Sequence, residues 1–132
     1  MLWNTTEQVA VTFSEIKAIN RVFQGEIWIA DLGNKSGSIQ GGKRPVIVLQ
    51  NDIGNKYSPT TIVVPITSQL KNDLPVHADL GTQYGLKKVS TVLTEQITTV
   101  NQSSLIARIG KLDEKGFDII KRSIIASFKG IL

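Results

Sequence analysis

Apolar and polar positions alternate along much of the middle of the chain, a pattern that predicts β-strands. In residues 25–31, Ile27 and Ile29 share one face of such a strand. Residues 45–50 are almost continuously apolar, so we expect a central strand covered on both faces. Pro45 fits only at the start of that strand, because proline has no N–H for the ladder. Further strands are predicted at residues 60–66, 74–80, 89–97 and 105–110.

Two segments show the spacing of an amphipathic helix instead. Residues 5–19 begin with Thr5 and Gln8 in a capping-box arrangement, and Asp113 is a favourable N-cap for a helix that runs to the C-terminus. Each segment has an apolar stripe, which we interpret as a packing face. The stripes consist of Val9, Phe13 and Ile16 in the first helix, and Phe117, Ile120, Ile124, Phe128 and Ile131 in the second.

Many short strands followed by a helix predict a mostly β fold. We expect a small, mostly antiparallel barrel with a C-terminal helix and an extra N-terminal helix. Residues 1–20 are interpreted as the N-terminal helical extension and residues 21–132 as the barrel domain. A chain of 132 residues with 41% hydrophobic residues is sufficient for one such domain with its own core.

Composition excludes several kinds of chemistry. The chain has no cysteine, so disulfides and thiol catalysis are excluded, and His77 is its one histidine, which argues against a zinc site of ordinary ligand type. We expect no metal and no cofactor. The N-terminus lacks the pattern of a signal peptide and no apolar stretch is long enough to span a membrane, so a cytoplasmic protein with no membrane partner is predicted.

The charge of +4 permits a polyanionic partner such as nucleic acid without requiring one. RNA supplies its own nucleophile, the 2′-hydroxyl, so cleavage by internal transesterification requires only positioning and charge stabilisation. Arg44 provides a guanidinium whose forked donors match phosphate oxygens, and Thr67 provides a hydroxyl at the end of a neighbouring strand. Arg44 as a solvated strand-edge charge and Thr67 as a turn cap remain alternatives.

The same stretches resemble the MazF/PemK family of type II toxins, which are endoribonucleases. The resemblance covers residues 22–131 and is specific because many motifs match in order. The central motif is Gly41-Gly42-Lys43-Arg44-Pro45. The other matching stretches are residues 25–32, 46–48, 50–60, 66–69, 74–77, 93–97 and 111–114.

The resemblance implies an SH3-like barrel that works as a homodimer and cuts single-stranded RNA at short sequences without a metal. The implied products are a 2′,3′-cyclic phosphate and a 5′-hydroxyl. The family's essential arginine and threonine fall on Arg44 and Thr67. A cognate antitoxin is the implied protein partner. The resemblance does not assign the general base, and we interpret Arg44 as a phosphate clamp and Thr67 as a hydrogen-bonding or proton-relay group.

The resemblance also implies a set of RNA-contacting residues, most of them in the loop before the arginine. Two positions depart from the family pattern: Ile39 stands where glutamate is frequent, and Thr98 stands where arginine is common. We expect these departures to alter the cut-site sequence or the charge of the groove. The RNA-binding candidates are Ser38, Ile39, Gln40, Gly41, Gly42, Lys43, Gln69, Glu95 and Gln96.

A second function is compatible with the same fold. The gyrase poison CcdB shares the barrel and acts by binding through its C-terminal helix, without enzymatic activity. The pairing of Arg44 and Thr67 with a Gly-Gly loop favours the ribonuclease. Discrete RNA cleavage in EDTA distinguishes the two hypotheses.

Overall fold

The computed structural model describes residues 21–69 and 77–132. Seven strands in this part of the chain form one sheet, in which every recorded pairing is antiparallel. They are β1 (Glu26–Asp31), β2 (Lys43–Val48), β3 (Thr60–Thr67), β4 (His77–Gly81), β5 (Ser90–Leu93), β6 (Thr98–Asn101) and β7 (Leu105–Lys111). The strand order is β4-β5-β3-β2-β1-β7, and β6 pairs with β3 off this path.

Two α-helices and three 3₁₀ turns complete the described chain. Helix α1 spans Asp52–Tyr57 and helix α2 spans Glu114–Phe128. The side chain of Asp113 accepts a hydrogen bond from the Gly116 N–H at 2.8 Å, which confirms the predicted N-cap of α2. The 3₁₀ turns lie at Thr94–Gln96, Gln102–Ser104 and Lys129–Ile131.

The core lies on both faces of the sheet. In β2, Ile47 belongs to a cluster that includes Leu112 and, from α2, Ile120. Val46 and Val48 belong to a second cluster on the other face. All three β2 side chains are fully buried, as the continuous apolar run predicts. Burying a side chain of this size contributes about 1.5–3 kcal/mol, so β2 is a stiff support for the residue at its start.

A polar cluster at the start of β3 fixes that strand. Asn55, which is 1% exposed, accepts from Thr61 Oγ1 at 2.7 Å and from Gln50 Nε2 at 3.0 Å. Gln102 Nε2 donates to the main-chain oxygens of Asn55 and Thr60. Buried polar groups that all have partners make a segment rigid, so the strand that carries Thr67 is well defined from its first residue.

The predicted mostly β architecture with a C-terminal helix is confirmed. The sheet remains open in the part of the chain that the structure describes, because β4 and β7 end the strand path without pairing to each other. The predicted N-terminal helix and residues 74–76 of the predicted fourth strand lie outside the described residues.

Three elements differ from the sequence prediction. The predicted strand 89–97 is divided, since β5 ends at Leu93 and a 3₁₀ turn follows, where Thr94 Oγ1 donates to Ser123 Oγ of α2 at 2.9 Å. Strand β6 was not predicted. Between the predicted strands 45–50 and 60–66 the chain forms α1, which begins because the Asn51 side chain accepts from the Gly54 N–H.

Candidate functional site

The start of β2 and the end of β3 bring Arg44 and Thr67 onto adjacent strands. The recorded register pairs Val46 with Pro65. Arg44 precedes Val46 by two residues and Thr67 follows Pro65 by two, so both lie at the same end of the two antiparallel strands. Residues on alternate positions of a strand share a face, so these two predicted catalytic residues lie on the same side of the sheet.

The guanidinium of Arg44 is half-buried and contacts the loop that precedes it. Its Nε donates to the main-chain oxygen of Gly41 at 2.7 Å, and its Nη1 donates to Gln40 Oε1. These bonds fix the plane of the guanidinium and leave the Nη2 amino group available for an anion. Arg44 is therefore not a freely solvated strand-edge charge.

The loop between β1 and β2, residues 32–42, is closed at its base by main-chain hydrogen bonds. Leu32 donates to the oxygen of Gly42 at 3.0 Å, and Gly42 donates to the oxygen of Gly33 at 2.8 Å. Gly42 has a φ of +74°, which a residue with a side chain rarely adopts. Gly42 thus permits the turn that immediately precedes β2.

Gln96, in the turn after β5, contacts the same loop with both ends of its amide. Its Oε1 accepts from the Gln40 N–H at 2.8 Å, and its Nε2 donates to the main-chain oxygen of Ser38 at 2.8 Å. The predicted site residues Ser38, Gln40, Gly41, Arg44 and Gln96 are therefore joined in one hydrogen-bond network.

Thr67 is almost entirely buried, with 3% of its surface exposed. Its Oγ1 accepts from the Gln69 N–H at 3.2 Å, and its backbone pairs with Thr91 of β5. This hydrogen bond is the turn-capping role that sequence analysis left open, and it orients the hydroxyl at the end of β3. Gln69 itself is exposed next to it.

Glu95 is separate from this network and contacts His77 instead. Glu95 Oε2 and His77 Nε2 are 2.8 Å apart, with the histidine side chain 9% exposed and the carboxylate 37% exposed. The sequence offered no reason to connect the two, since eighteen residues separate the pair and no spacing rule joins them. The pairing of His77 with Leu93 brings them together.

The remaining predicted RNA-binding residues are open to solvent. Ile39 is 62% exposed, and Gly42 and Lys43 are also exposed.

An apolar cavity of about 260 Å³ lies elsewhere, between β2 and α2, and is lined by none of the predicted site residues. Within residues 21–69 and 77–132, no three His, Cys, Asp or Glu side chains are grouped as metal ligands are. Nor does any helix there have the length and hydropathy needed to cross a membrane.

A family model described as PemK-like, MazF-like toxin of type II toxin-antitoxin system matches residues 23–128. The chain belongs to this family. Endoribonuclease EndoA of Bacillus subtilis (strain 168) is 43% identical to this MazF-like chain over 105 residues, covering 78% of the chain and 90% of EndoA. Endoribonuclease MazF of Staphylococcus saprophyticus is 41% identical over 103 residues, covering 76% of the chain and 86% of that protein.

Solved structures share the fold of this MazF-like protein. A mycobacterial endoribonuclease in complex with its cognate antitoxin aligns with a TM-score of 0.70 at 18% identity, covering 84% of this chain and 97% of that one. MazF (Form-I) from Deinococcus radiodurans aligns with a TM-score of 0.70 at 17% identity, covering 82% and 96%. The predicted family is confirmed, the expected endoribonuclease activity agrees with the names of both relatives, and the CcdB-like alternative is not favoured.

Proposed function

We propose that this MazF-like toxin is a metal-independent, sequence-specific endoribonuclease that cuts single-stranded RNA with Arg44 and Thr67 at its catalytic centre. The observation that carries the proposal is the half-buried Arg44, whose guanidinium is bound to the loop, with a buried threonine at the same end of the next strand. A charge that is already oriented stabilises a transition state without reorganising when the reaction occurs.

The reaction is an internal transesterification. The 2′-oxygen forms a bond to phosphorus, and the bond from phosphorus to the 5′-oxygen breaks. The proton of the 2′-hydroxyl leaves, and a proton reaches the departing 5′-oxygen. The products are a 2′,3′-cyclic phosphate and a 5′-hydroxyl. The nucleophile belongs to the substrate, so the protein supplies position and charge.

Arg44 would bind the phosphate through the N–H groups that the loop does not use. As negative charge builds on the non-bridging oxygens, these charge-assisted hydrogen bonds strengthen. A guanidinium keeps its proton in proteins, so Arg44 stabilises charge and does not act as the base. Thr67 would contribute a hydroxyl that donates to the phosphate or relays a proton.

The exposed part of the loop would contact the bases and backbone on either side of the cut. Ile39 presents an apolar surface suited to base stacking or packing, and Lys43 adds attraction for phosphate. Glu95, oriented by His77, offers a carboxylate that accepts from a base amino group. The other candidates in this surface are Ser38, Gln40, Gly41, Gly42, Gln69 and Gln96.

A cognate antitoxin, a homodimer and a cytoplasmic location complete the proposal. One structural neighbour is named as a complex with its cognate antitoxin, and a disordered tail that orders on the RNA-binding surface is a suitable inhibitor of RNA binding. Light scattering of the purified chain tests the dimer directly. A mass of one protomer at micromolar concentration contradicts it.

The decisive experiment incubates the purified protein with a long single-stranded RNA in EDTA and maps the 5′ ends. We expect discrete products with 5′-hydroxyl ends, which Arg44→Ala and Thr67→Ala abolish. Arg122→Ala and Thr82→Ala, which alter exposed residues outside the site, are the matched controls and should cleave normally. Growth arrest by a protein that leaves RNA intact contradicts the proposal and favours binding to gyrase.

A further inference from the structure

The loop of residues 32–42 needs an external contact to have one conformation. Gly33, Gly37 and Gly42 all have positive φ angles, and glycine carries the largest backbone entropy of any residue. Among the hydrogen bonds of the described residues, two join this loop to an element outside β1 and β2: Gln96 Oε1 accepts from the Gln40 N–H, and Gln96 Nε2 donates to the Ser38 oxygen.

Arg44 depends on the conformation of that loop. Its guanidinium donates to the main-chain oxygen of Gly41 and to the side-chain oxygen of Gln40. The main-chain N–H of the same Gln40 donates to Gln96. The contacts thus run from Gln96 through the backbone of the loop to the guanidinium. If the loop lost its contacts with Gln96, the oxygens of Gly41 and Gln40 that accept from Arg44 would move, and the guanidinium would no longer be oriented.

The turn that carries Gln96 is itself fixed to two other elements. Thr94 Oγ1 donates to Ser123 Oγ of α2 at 2.9 Å, and both groups are buried. Glu95 contacts His77 of β4 at 2.8 Å. Three successive residues of one short turn therefore contact α2, β4 and the loop, so Gln96 presents its amide from a rigid support.

We propose that Gln96 is a positioning residue, which orients Arg44 for cleavage by holding residues 38–40 before RNA binds. Both ends of its amide bind the loop, with one N–H donated to the Ser38 oxygen and one lone pair accepting from the Gln40 N–H, so the amide is held against the loop before any base arrives. The inference rests on the proposed catalytic role of Arg44. It reassigns Gln96 from the RNA-contacting set.

The test compares Gln96→Ala, Gln96→Glu and wild-type protein, with Gln83→Ala as the control at an exposed glutamine. Cleavage of RNA in EDTA gives kcat and KM, and hydrogen exchange of the Gln40 amide is measured without RNA. For Gln96→Ala we expect kcat to fall about 10- to 100-fold, the cost of a displaced catalytic group. KM should change less than threefold by the same reasoning, and the Gln40 amide should exchange about two- to tenfold faster.

Gln96→Glu separates positioning from loss of the fold. It keeps an acceptor for the Gln40 N–H and loses the donor to Ser38, so we expect a kcat between those of wild type and Gln96→Ala, with Gln40 exchange near wild type. Unchanged Gln40 exchange in Gln96→Ala, together with a changed preference for one base beside the cut, would overturn the inference in favour of direct reading. Wild-type protein that leaves RNA intact would instead refute the proposed ribonuclease.

Discussion

Arg44 donates through Nε to the main-chain oxygen of Gly41 at 2.7 Å, so its guanidinium is oriented by the chain immediately before it. A lysine ammonium at this position has no Nε–H and no planar fork. We expect Arg44→Lys to lower kcat about 100- to 1,000-fold, the usual cost of removing one donor from a charge-stabilising site. The measurement is the rate of RNA cleavage in EDTA at saturating substrate.

The control for this substitution is Arg122→Lys. Arg122 forms an exposed i,i+4 ion pair with Asp118 on α2, so its replacement should leave the rate unchanged. A rate for Arg44→Lys within a factor of about three of wild type would mean that a point charge suffices, and that the fork geometry has no catalytic role.

The hydroxyl of Thr67 is tested by a substitution that keeps its shape. Thr67→Val retains the branched side chain but removes the hydroxyl, whereas Thr67→Ser retains the hydroxyl. We expect kcat to fall about 100-fold for valine, within the range for loss of a proton-transfer group, and to remain near wild type for serine. Single-turnover cleavage measures the effect. The opposite order, with valine more active than serine, would assign Thr67 a packing role only.

Lys43 is exposed beside Arg44 and is predicted to attract RNA without taking part in the chemistry. For Lys43→Ala we expect an unchanged kcat. The slope of log(kcat/KM) against log[salt] should become shallower by about 0.7, the contribution of one phosphate contact to a single strand. Lys129→Ala, at an exposed lysine after α2, is the control. An equal change in both variants would show only that total charge matters.

Gly110 lies directly against the loop that contains Tyr84. A β carbon on Gly110 would sit 1.8 Å from the Tyr84 main-chain oxygen, too close for any rotamer to relieve. We expect Gly110→Ala to lower the free energy of unfolding by about 3 kcal/mol or more. Thermal or denaturant unfolding measures it. Gly130→Ala has nothing within 4 Å of the new carbon and should be neutral; equal stability of the two variants would contradict the predicted clash.

Asp113 caps α2, and the hydrogen bonds from the Gly116 N–H and the Tyr84 hydroxyl lower the pKa of its carboxyl. Because the folded-state pKa is lowered, the stabilisation is complete above the ordinary aspartate value of about 3.9 and is lost as the pH falls through the folded-state pKa. We expect Asp113→Ala to lower Tm by about 3–6 °C at pH 7.

The difference in Tm between wild type and Asp113→Ala should shrink as the pH is lowered below about 4, since protonation weakens the wild-type cap. Asp118→Ala, elsewhere on α2, is the control. A difference that stays constant between pH 7 and pH 3 would show that the carboxylate charge does not contribute.

Local signals in the sequence predicted most of the fold. Asp113 marked the start of α2, because a capping side chain acts within a few residues. Pro45 was expected at the start of its strand, but β2 begins earlier, at Lys43, and Pro45 pairs with Ile29 inside the ladder. The break after Leu93 was not predictable in this way. It depends on the hydrogen bond between Thr94 and Ser123, which a strand-like alternation in the sequence does not reveal.

The candidate site shows the same division. The Gly-Gly motif and its arginine directed attention to Arg44, and the strand pattern placed Thr67 near it. Gln96 was assigned to RNA by the family resemblance alone. Its contacts with Ser38 and Gln40 cross more than fifty positions of sequence, so no local pattern reveals them. The pairing of Glu95 with His77 was missed for the same reason: only the register of β4 against β5 makes them neighbours.

The pairing of β1 with β7 has a consequence for the order in which the nascent chain completes its sheet. Glu26 pairs with Lys111, so β1, the first described strand to leave the ribosome, obtains its second neighbour from β7, the last described strand. Contacts so distant in sequence form late in folding. A nascent chain whose residues 105–111 are still within the ribosome therefore has an unfinished sheet, in which β1 is paired with β2 alone.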